Sequence, residues 1–398
     1  MAGLTTAEAA HDAGVDEAYV EELIGHGILR PVHGRLSVGD VRRVGVIRAL
    51  RDAGLPLDAL EKGLKSGLLG LEFVDTPEYE RFPTLTDQTF QQVSERTGIP
   101  MSLLAVLRET VGFGTARPED RLRTDELRVV PFIETQVRLG FDPVAIERLL
   151  RVVGDSTHRI AEAEAEWWRS QVSVPRLAQG QQGSTIAASE VSAQLSKGSQ
   201  DAMLAIWNAQ QAQTWTSNIV AGFEYLLAKE GIYHAPDRPP AICFLDITGY
   251  TRLTQERGDR AAAELAESLS RLVKRTSGDH GGRPVKWLGD GVMFYFREPG
   301  PGVEAALDMV DGIGGAGLPP AHVGLHAGPV VMQEGDYYGQ TVNMAARIAD
   351  YARPGEVLVS QAVVDASPSA NAVFTDIGDV ELKGVAGTVR LHSSRRSA

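Results

Sequence analysis

The sequence predicts an α+β chain of several domains, with an all-α N-terminal region followed by a ferredoxin-like α/β domain. Three observations carry this. The chain has 398 residues, more than one core of ordinary size organises. Residues 4–229 read as a series of helical segments, several of them closed by glycine. From Ala241 the pattern switches to strand, helix, two strands, helix, strand, which is the ferredoxin-like order.

Each element follows from its own signals. AEAAHDAG, DEAYVEELIGHG and GDVRRVGVIRALRDAG predict short helices within residues 4–70, with Gly14, Gly27 and Gly54 at their ends, where a left-handed cap suits glycine. Residues 85–153 repeat that order. LTDQTFQQVSERTGIPMSLLAVLRE parallels LTTAEAAHDAGVDEAYVEELIGHG, and LGFDPVAIERLL parallels AGLPLDALEKGL, so two tandem copies of one helical unit are expected. A division of the chain is expected near residue 155, and residues 155–182 read as helical. GQQGSTIAASE is a Gly/Ser/Gln-rich break. A long helix is expected from about Ser192 to Lys229, stopped by Gly231 and the prolines of HAPDRPP.

AICFLDI then predicts a buried strand. Residues 258–276 predict an amphipathic helix with Leu265, Leu269, Leu272 and Val273 on one face. PVKWLGDGVMFYF reads as two strands about a Gly-Asp-Gly turn, and residues 302–312 as a helix. HVGLHAGPVVM and EVLVSQAVV supply further strands and a helix. The expected division is therefore 1–75 and 80–182 as helical units, 183–235 as a linker and long helix, and 236–398 as the α/β domain.

Composition excludes several classes. A net charge of −13 argues against nucleic acid or an anionic membrane as the main partner. One cysteine, Cys243, excludes an intrachain disulfide framework and a cysteine metal cluster, and fits a reducing, cytoplasmic setting. The polar N-terminus MAGLTTAEAAHDAGVDE lacks the apolar core of a signal peptide. No apolar run is long enough to span a bilayer.

The chemistry concentrates in three stretches. Asp246 ends a buried strand, where a lone carboxylate usually caps the following helix. Asp290 alters that reading. It sits at the tip of the KWLGDGVMF hairpin, which a ferredoxin-like sheet brings beside the end of the first strand. Two carboxylates meeting there repel unless a divalent cation lies between them, and oxygen-only ligation suits Mg²⁺ or Mn²⁺. In GDYYGQTVNMAARI, Asn343 and Arg347 are spaced i, i+4 and project from one helix face, with Asp336 in the loop before them. Such a set suits ribose and phosphate contacts. Cys243 reads as a small core residue, and His326 as a strand residue near the site that is not a ligand.

FLDITGYTRL, KWLGDGVMF and GDYYGQTVNMAARI together resemble the class III nucleotide cyclase catalytic domain, over about residues 238–393. The resemblance implies that Asp246 and Asp290 hold two metal ions, Mg²⁺ or Mn²⁺. It implies that Lys286 and Asp336 read the purine, that Asn343 orients the ribose and that Arg347 stabilises charge on the reacting phosphate. Lys383, in ELKGV, would match a further phosphate-contacting lysine. A Lys donor and an Asp acceptor complement adenine and mispair with guanine, so the pair favours ATP. In the family the metal residues and the base, ribose and phosphate residues come from opposite protomers. One chain here carries both sets, so a homodimer with two equivalent sites is expected. The product would be 3′,5′-cyclic AMP with pyrophosphate.

Two resemblances concern the N-terminal half. The first unit resembles a MerR-type winged helix-turn-helix, which raises the alternative of a DNA-binding regulator with a cyclase-like nucleotide-sensing domain. Its recognition helix, however, carries Asp16, Glu17, Glu21 and Glu22 and no Arg or Lys, so phosphates would repel it. Residues 85–230 are similar to the helical regulatory domain of the mycobacterial pH-sensing adenylate cyclases. That similarity implies autoinhibition, a response to pH and binding of a fatty acid. Leu204, Ile206, Trp207, Trp215, Ile219, Val220, Phe223 and Leu226 would serve either as a lipid pocket or as a dimer core.

Overall fold

The protein is described from a computed structural model, which covers residues 3–76, 79, 84–181, 190–233, 239–368 and 370–397. The domain limits expected at 75–80, 182–183 and 235–236 border residues outside this set. The chain forms two compact units, Met1–Thr216 and Ser217–Ala398.

The first unit begins with helices α1 (Thr6–Ala13), α2 (Glu17–Gly25), α3 (Val38–Asp52) and α4 (Leu57–Lys65). Thr5 starts α1 through a capping box with Glu8, and Gly14 ends it at φ 67°. A bridge pairs Leu4 with Leu36. The same order then recurs: β1 (Leu85–Thr89), α5 (Phe90–Thr97), α6 (Met101–Thr110), β2 (Arg121–Arg123), α7 (Thr124–Arg138) and α8 (Pro143–Trp168). Thr89 and Gln92 form the second capping box, and β1 pairs with β2 where the first copy has its bridge. Each copy closes its own core, around Val20, Leu23, Val44 and Ile47 in one and Phe90, Leu104, Leu107 and Ile133 in the other. In the second copy Glu126 is fully buried. It accepts from Arg108 at 2.8 and 3.2 Å and from the Arg123 amide at 2.7 Å, which satisfies its charge.

The division expected near residue 155 is not there. Helix α8 runs unbroken through it. A Cβ on Gly154 would stand 3.0 Å from the Thr110 Cα, so this glycine lets α8 lie close on α6. A five-residue π-turn, Arg169–Ser173, and helix α9 (Val174–Ala178) follow. Helix α10 (Glu190–Lys229) then runs 40 residues. The residues considered above for a lipid pocket lie exposed along it, Trp207 and Trp215 among them. Among the described residues, no helix is long and apolar enough to cross a membrane.

The second unit is built on a seven-stranded sheet. Its elements are β3 (Ala241–Ile247), α11 (Tyr250–Asp279), β4 (Gly282–Leu288), β5 (Gly291–Phe296), α12 (Pro299–Gly315), β6 (Ala321–Ala327), β7 (Val331–Gln333), β8 (Asp336–Tyr338), α13 (Gln340–Tyr351), β9 (Val357–Ser360), α14 (Gln361–Asp365), β10 (Ala372–Glu381) and β11 (Thr388–Arg396). Helix α11 starts earlier than its amphipathic stretch suggests and is interrupted at Gly258. The strand order is β4-β5-β3-β6-β9-β11-β10. The first four strands form the expected ferredoxin-like sheet. The other three extend it beyond β6, which pairs in parallel with β9.

Alternation along the strands separates the two faces. Ala241, Cys243, Leu245 and Ile247 of β3 join Leu269, Leu272 and Val273 of α11 and Met309 of α12 in the larger core. The opposite face carries Ile242 and Met293 against Val342 and Ala345 of α13. Helix α13 sits very close to the sheet, because Gly324 of β6 has no side chain: a Cβ there would lie 2.1 Å from the Ala349 nitrogen.

Candidate active site

The register of β3 on β5 decides the first part of the site. Asp246 pairs with Gly291, the residue after the hairpin tip, so Asp246 and Asp290 come together at one end of the sheet. A Cβ on Gly291 would lie 3.2 Å from Asp246 Oδ1, so glycine here keeps room for the carboxylate. The Asp246 carboxyl is held above its usual range, first by partial burial and then by the charge of Asp290, with His322 opposing. Among the described residues no Lys or Arg forms an ion pair with either aspartate. A partly desolvated carboxylate beside a second one fits a divalent cation.

The sequence did not point to His322. The register pairs it with Asp246 across β3 and β6, and its Nε2 lies 3.6 Å from Asp246 Oδ2. Its Nδ1 lies 3.3 Å from the Thr248 hydroxyl. Only the β3–β6 pairing reveals it. His326, four residues on, faces the same side but makes a hydrogen bond with Ser360 at 2.8 Å, and burial lowers its pKa. It is a packed strand histidine, as expected. Just beyond Asp246, Gly249 caps the start of α11 in a left-handed conformation, so a helix N-terminus opens beside the carboxylates.

The second part lies on β4 and the β7–β8 hairpin. Lys286 Nζ donates to Asp336 Oδ2 at 2.6 Å, and the amide of Tyr337 donates to Asp336 Oδ1 at 2.7 Å. The ammonium also lies 5.8 Å from the Tyr338 ring centroid. The structure thus joins two residues fifty positions apart.

Helix α13 supplies the third part. Gly339 enters it at φ 127°, a conformation open only to glycine, and so redirects the chain from β8 into the helix. Val342, Ala345, Ile348 and Ala349 face the sheet, leaving Asn343 and Arg347 exposed together on the outer side. Arg347 donates to Asp350 at 2.8 Å, and Asp350 adds a small upward push to the Asp246 pKa. Lys383 stands exposed in the turn after β10.

The chain can therefore offer three sets of groups: paired carboxylates, a Lys–Asp donor and acceptor, and an Asn–Arg pair. Residues 232–393 match the family described as the adenylate and guanylate cyclase catalytic domain. A pH-sensitive adenylate cyclase of Mycobacterium tuberculosis is 27% identical over 327 residues, covering 77% of this chain and 78% of that protein. An adenylate cyclase of Streptomyces coelicolor is 26% identical over 277 residues, covering 69% and 70%. Among solved structures, an adenylyl cyclase of P. aeruginosa is similar over 40% of this chain and 95% of its own, at 21% identity and a TM-score of 0.37.

Proposed function

We propose, from the premise that residues 232–393 belong to the adenylate and guanylate cyclase catalytic domain family, that this chain converts ATP to 3′,5′-cyclic AMP and pyrophosphate. The observation that carries the choice of adenine is the Lys286–Asp336 pair, 2.6 Å apart and partly buried. Opened onto a base, the pair offers one donor and one acceptor. That pattern complements N1 and the amino group of adenine, and guanine would leave both unsatisfied.

The ribose 3′-oxygen would attack the α-phosphorus, the bond to the pyrophosphate oxygen would break, and the 3′-hydroxyl proton would leave. Asn343 would orient the ribose by hydrogen bonding, one helical turn from Arg347. Arg347 would stabilise the charge that builds on the phosphoryl oxygens. To do so, its guanidinium must share or leave Asp350. Asp246 and Asp290 would hold Mg²⁺ or Mn²⁺, two ions per site. Such ions, when bound, supply Lewis-acid polarisation of the reacting oxygens.

Two such chains are needed in this reading. Asp246 with Asp290 of one protomer would face Lys286, Asp336, Asn343 and Arg347 of its partner, giving two equivalent sites. The helical N-terminal unit and α10 would govern how the two catalytic domains meet, with pH as the stimulus suggested by the Mycobacterium tuberculosis relative.

The test is cyclic AMP formation by purified full-length protein, with ATP or GTP and with Mg²⁺ or Mn²⁺, from pH 5 to 8, with and without a long-chain fatty acid. No product under any condition, with Asp246→Ala indistinguishable from the parent, refutes the reading. Mixing Asp246→Ala with Arg347→Ala tests the shared site, because the mixed dimer regains one complete site. Failure of the mixture to recover activity that neither variant has alone rules out the two-chain arrangement.

A further inference from the structure

Asp336 belongs to a hairpin with little of its own to hold it. Strands β7 and β8 form a separate two-stranded sheet, and Val331, Met332 and Tyr338 are exposed. The turn between them places Glu334 and Gly335 at φ 56° and 78°. An isolated hairpin of this kind is marginal in water. Yet the carboxylate it carries must meet Lys286, which stands on the main sheet.

Tyr337 is the buried residue of the hairpin, 5% exposed. Its ring stacks on Tyr295 of β5, with centroids 4.5 Å apart and planes 6° from parallel. Arg283 of β4 donates to the Tyr337 hydroxyl. Its guanidinium carbon lies 5.6 Å from the Tyr295 ring centroid and 5.5 Å from that of Tyr337. The backbone of the same Tyr337 donates to Asp336, whose other oxygen accepts from Lys286. One residue therefore ties the hairpin to the sheet through its side chain and orients the carboxylate through its amide.

We propose that the stack of Arg283, Tyr295 and Tyr337 is the positioning element of base recognition, locking Asp336 in register with Lys286 so that a mismatched purine cannot push the carboxylate aside. The inference rests on reading Lys286 and Asp336 as the purine-binding pair. Its physical basis is that a polar group discriminates only as strongly as it is held. An anchored carboxylate facing the guanine carbonyl stays unsatisfied, whereas one on a loose hairpin swings into water and the penalty falls.

The experiment compares full-length Tyr337→Leu, Tyr337→Phe and Arg283→Met with the parent, using ATP and GTP, and includes Asp336→Ala. Tyr337→Leu removes the stack and the phenol contact. Its KM for ATP is expected to rise roughly threefold to tenfold, with a similar fall in ATP-over-GTP preference and kcat for ATP nearly kept. Tyr337→Phe keeps the ring and should shift both readouts less. A purely structural role would lower the amount of folded enzyme without moving KM or the nucleotide ratio. Unchanged KM and ratio in folded Tyr337→Leu overturn the proposal. Should that variant not fold, Arg283→Met, altered at an exposed side chain, decides by the same readouts. Asp336→Ala separates the two levels. If it abolishes the ATP preference while the stack variants keep theirs, only the positioning role fails. If it leaves the preference intact, the purine-pair reading falls and the positioning role with it.

Discussion

Replacing Gly324 with alanine tests how closely helix α13, which carries Asn343 and Arg347, depends on one missing side chain. The new Cβ would lie 2.1 Å from the Ala349 nitrogen, 2.6 Å from its Cα and 2.7 Å from the Ile348 carbonyl carbon. All three obstacles are backbone, so no rotamer change relieves the clash. Helix α13 must back away from β6 by roughly 1 Å, and overpacking of this kind costs on the order of 3 kcal/mol, the upper end for one added methyl. For a unit of this size that lowers Tm by about 6–12 °C. The same shift displaces Asn343 and Arg347, and a displacement of roughly 1 Å at reacting groups can cost about a hundredfold in rate. The assay is differential scanning fluorimetry together with kcat for cyclic AMP formation. Gly278→Ala is the control, because a Cβ there meets nothing within 4 Å. Gly324→Ala with a Tm and kcat matching the parent would refute the reasoning about how α13 is held.

Four further outcomes follow. Asp246→Asn removes a charge that burial and Asp290 both disfavour. The raised carboxyl pKa means the ionised form costs stability at neutral pH, and this cost disappears as pH falls through that pKa. Metal-free Asp246→Asn should therefore melt above the parent at pH 7, with the gain gone near pH 3, while losing activity; a lower Tm at pH 7 contradicts this. Mn²⁺ should raise the Tm of the parent and not of that variant, and an equal rise in both would remove Asp246 as a ligand. Arg108→Met leaves Glu126 buried without its cation and should destabilise the first unit by about 3 kcal/mol, read by urea unfolding; a change below about 1 kcal/mol shows that the pair does not hold that core. Cys243 is fully buried, and burial pushes its thiol pKa up, so a thiol reagent should modify it only in denaturant; labelling of the native protein at the free-thiol rate refutes this burial.

What could be read from the sequence was local. Glycine helix ends at Gly14, Gly27 and Gly54, the Gly-Asp-Gly hairpin tip, Asp246 at a strand end and the i, i+4 pair Asn343 and Arg347 each lie within a few residues of the signals that produce them. The tandem repeat was legible because both copies carry the same short-range pattern. The division expected near residue 155 failed because helix α8 continues through Gly154, where the glycine serves a close crossing with α6.

The remaining features depend on which strands pair and in what register, and that is fixed by packing between distant segments. His322 reaches Asp246 only through the β3–β6 pairing, and Tyr337 meets Tyr295 and Arg283 only because a short hairpin folds back over β4 and β5. The last three strands extend the sheet through the parallel step from β6 to β9. By itself the sequence nominated the residues proposed to carry the chemistry, through side-chain type, short spacing and the resemblance of three motifs to a family. The tertiary structure decided which of them touch and what braces them, because contacts across forty or more residues arise from a whole sheet closing on its core.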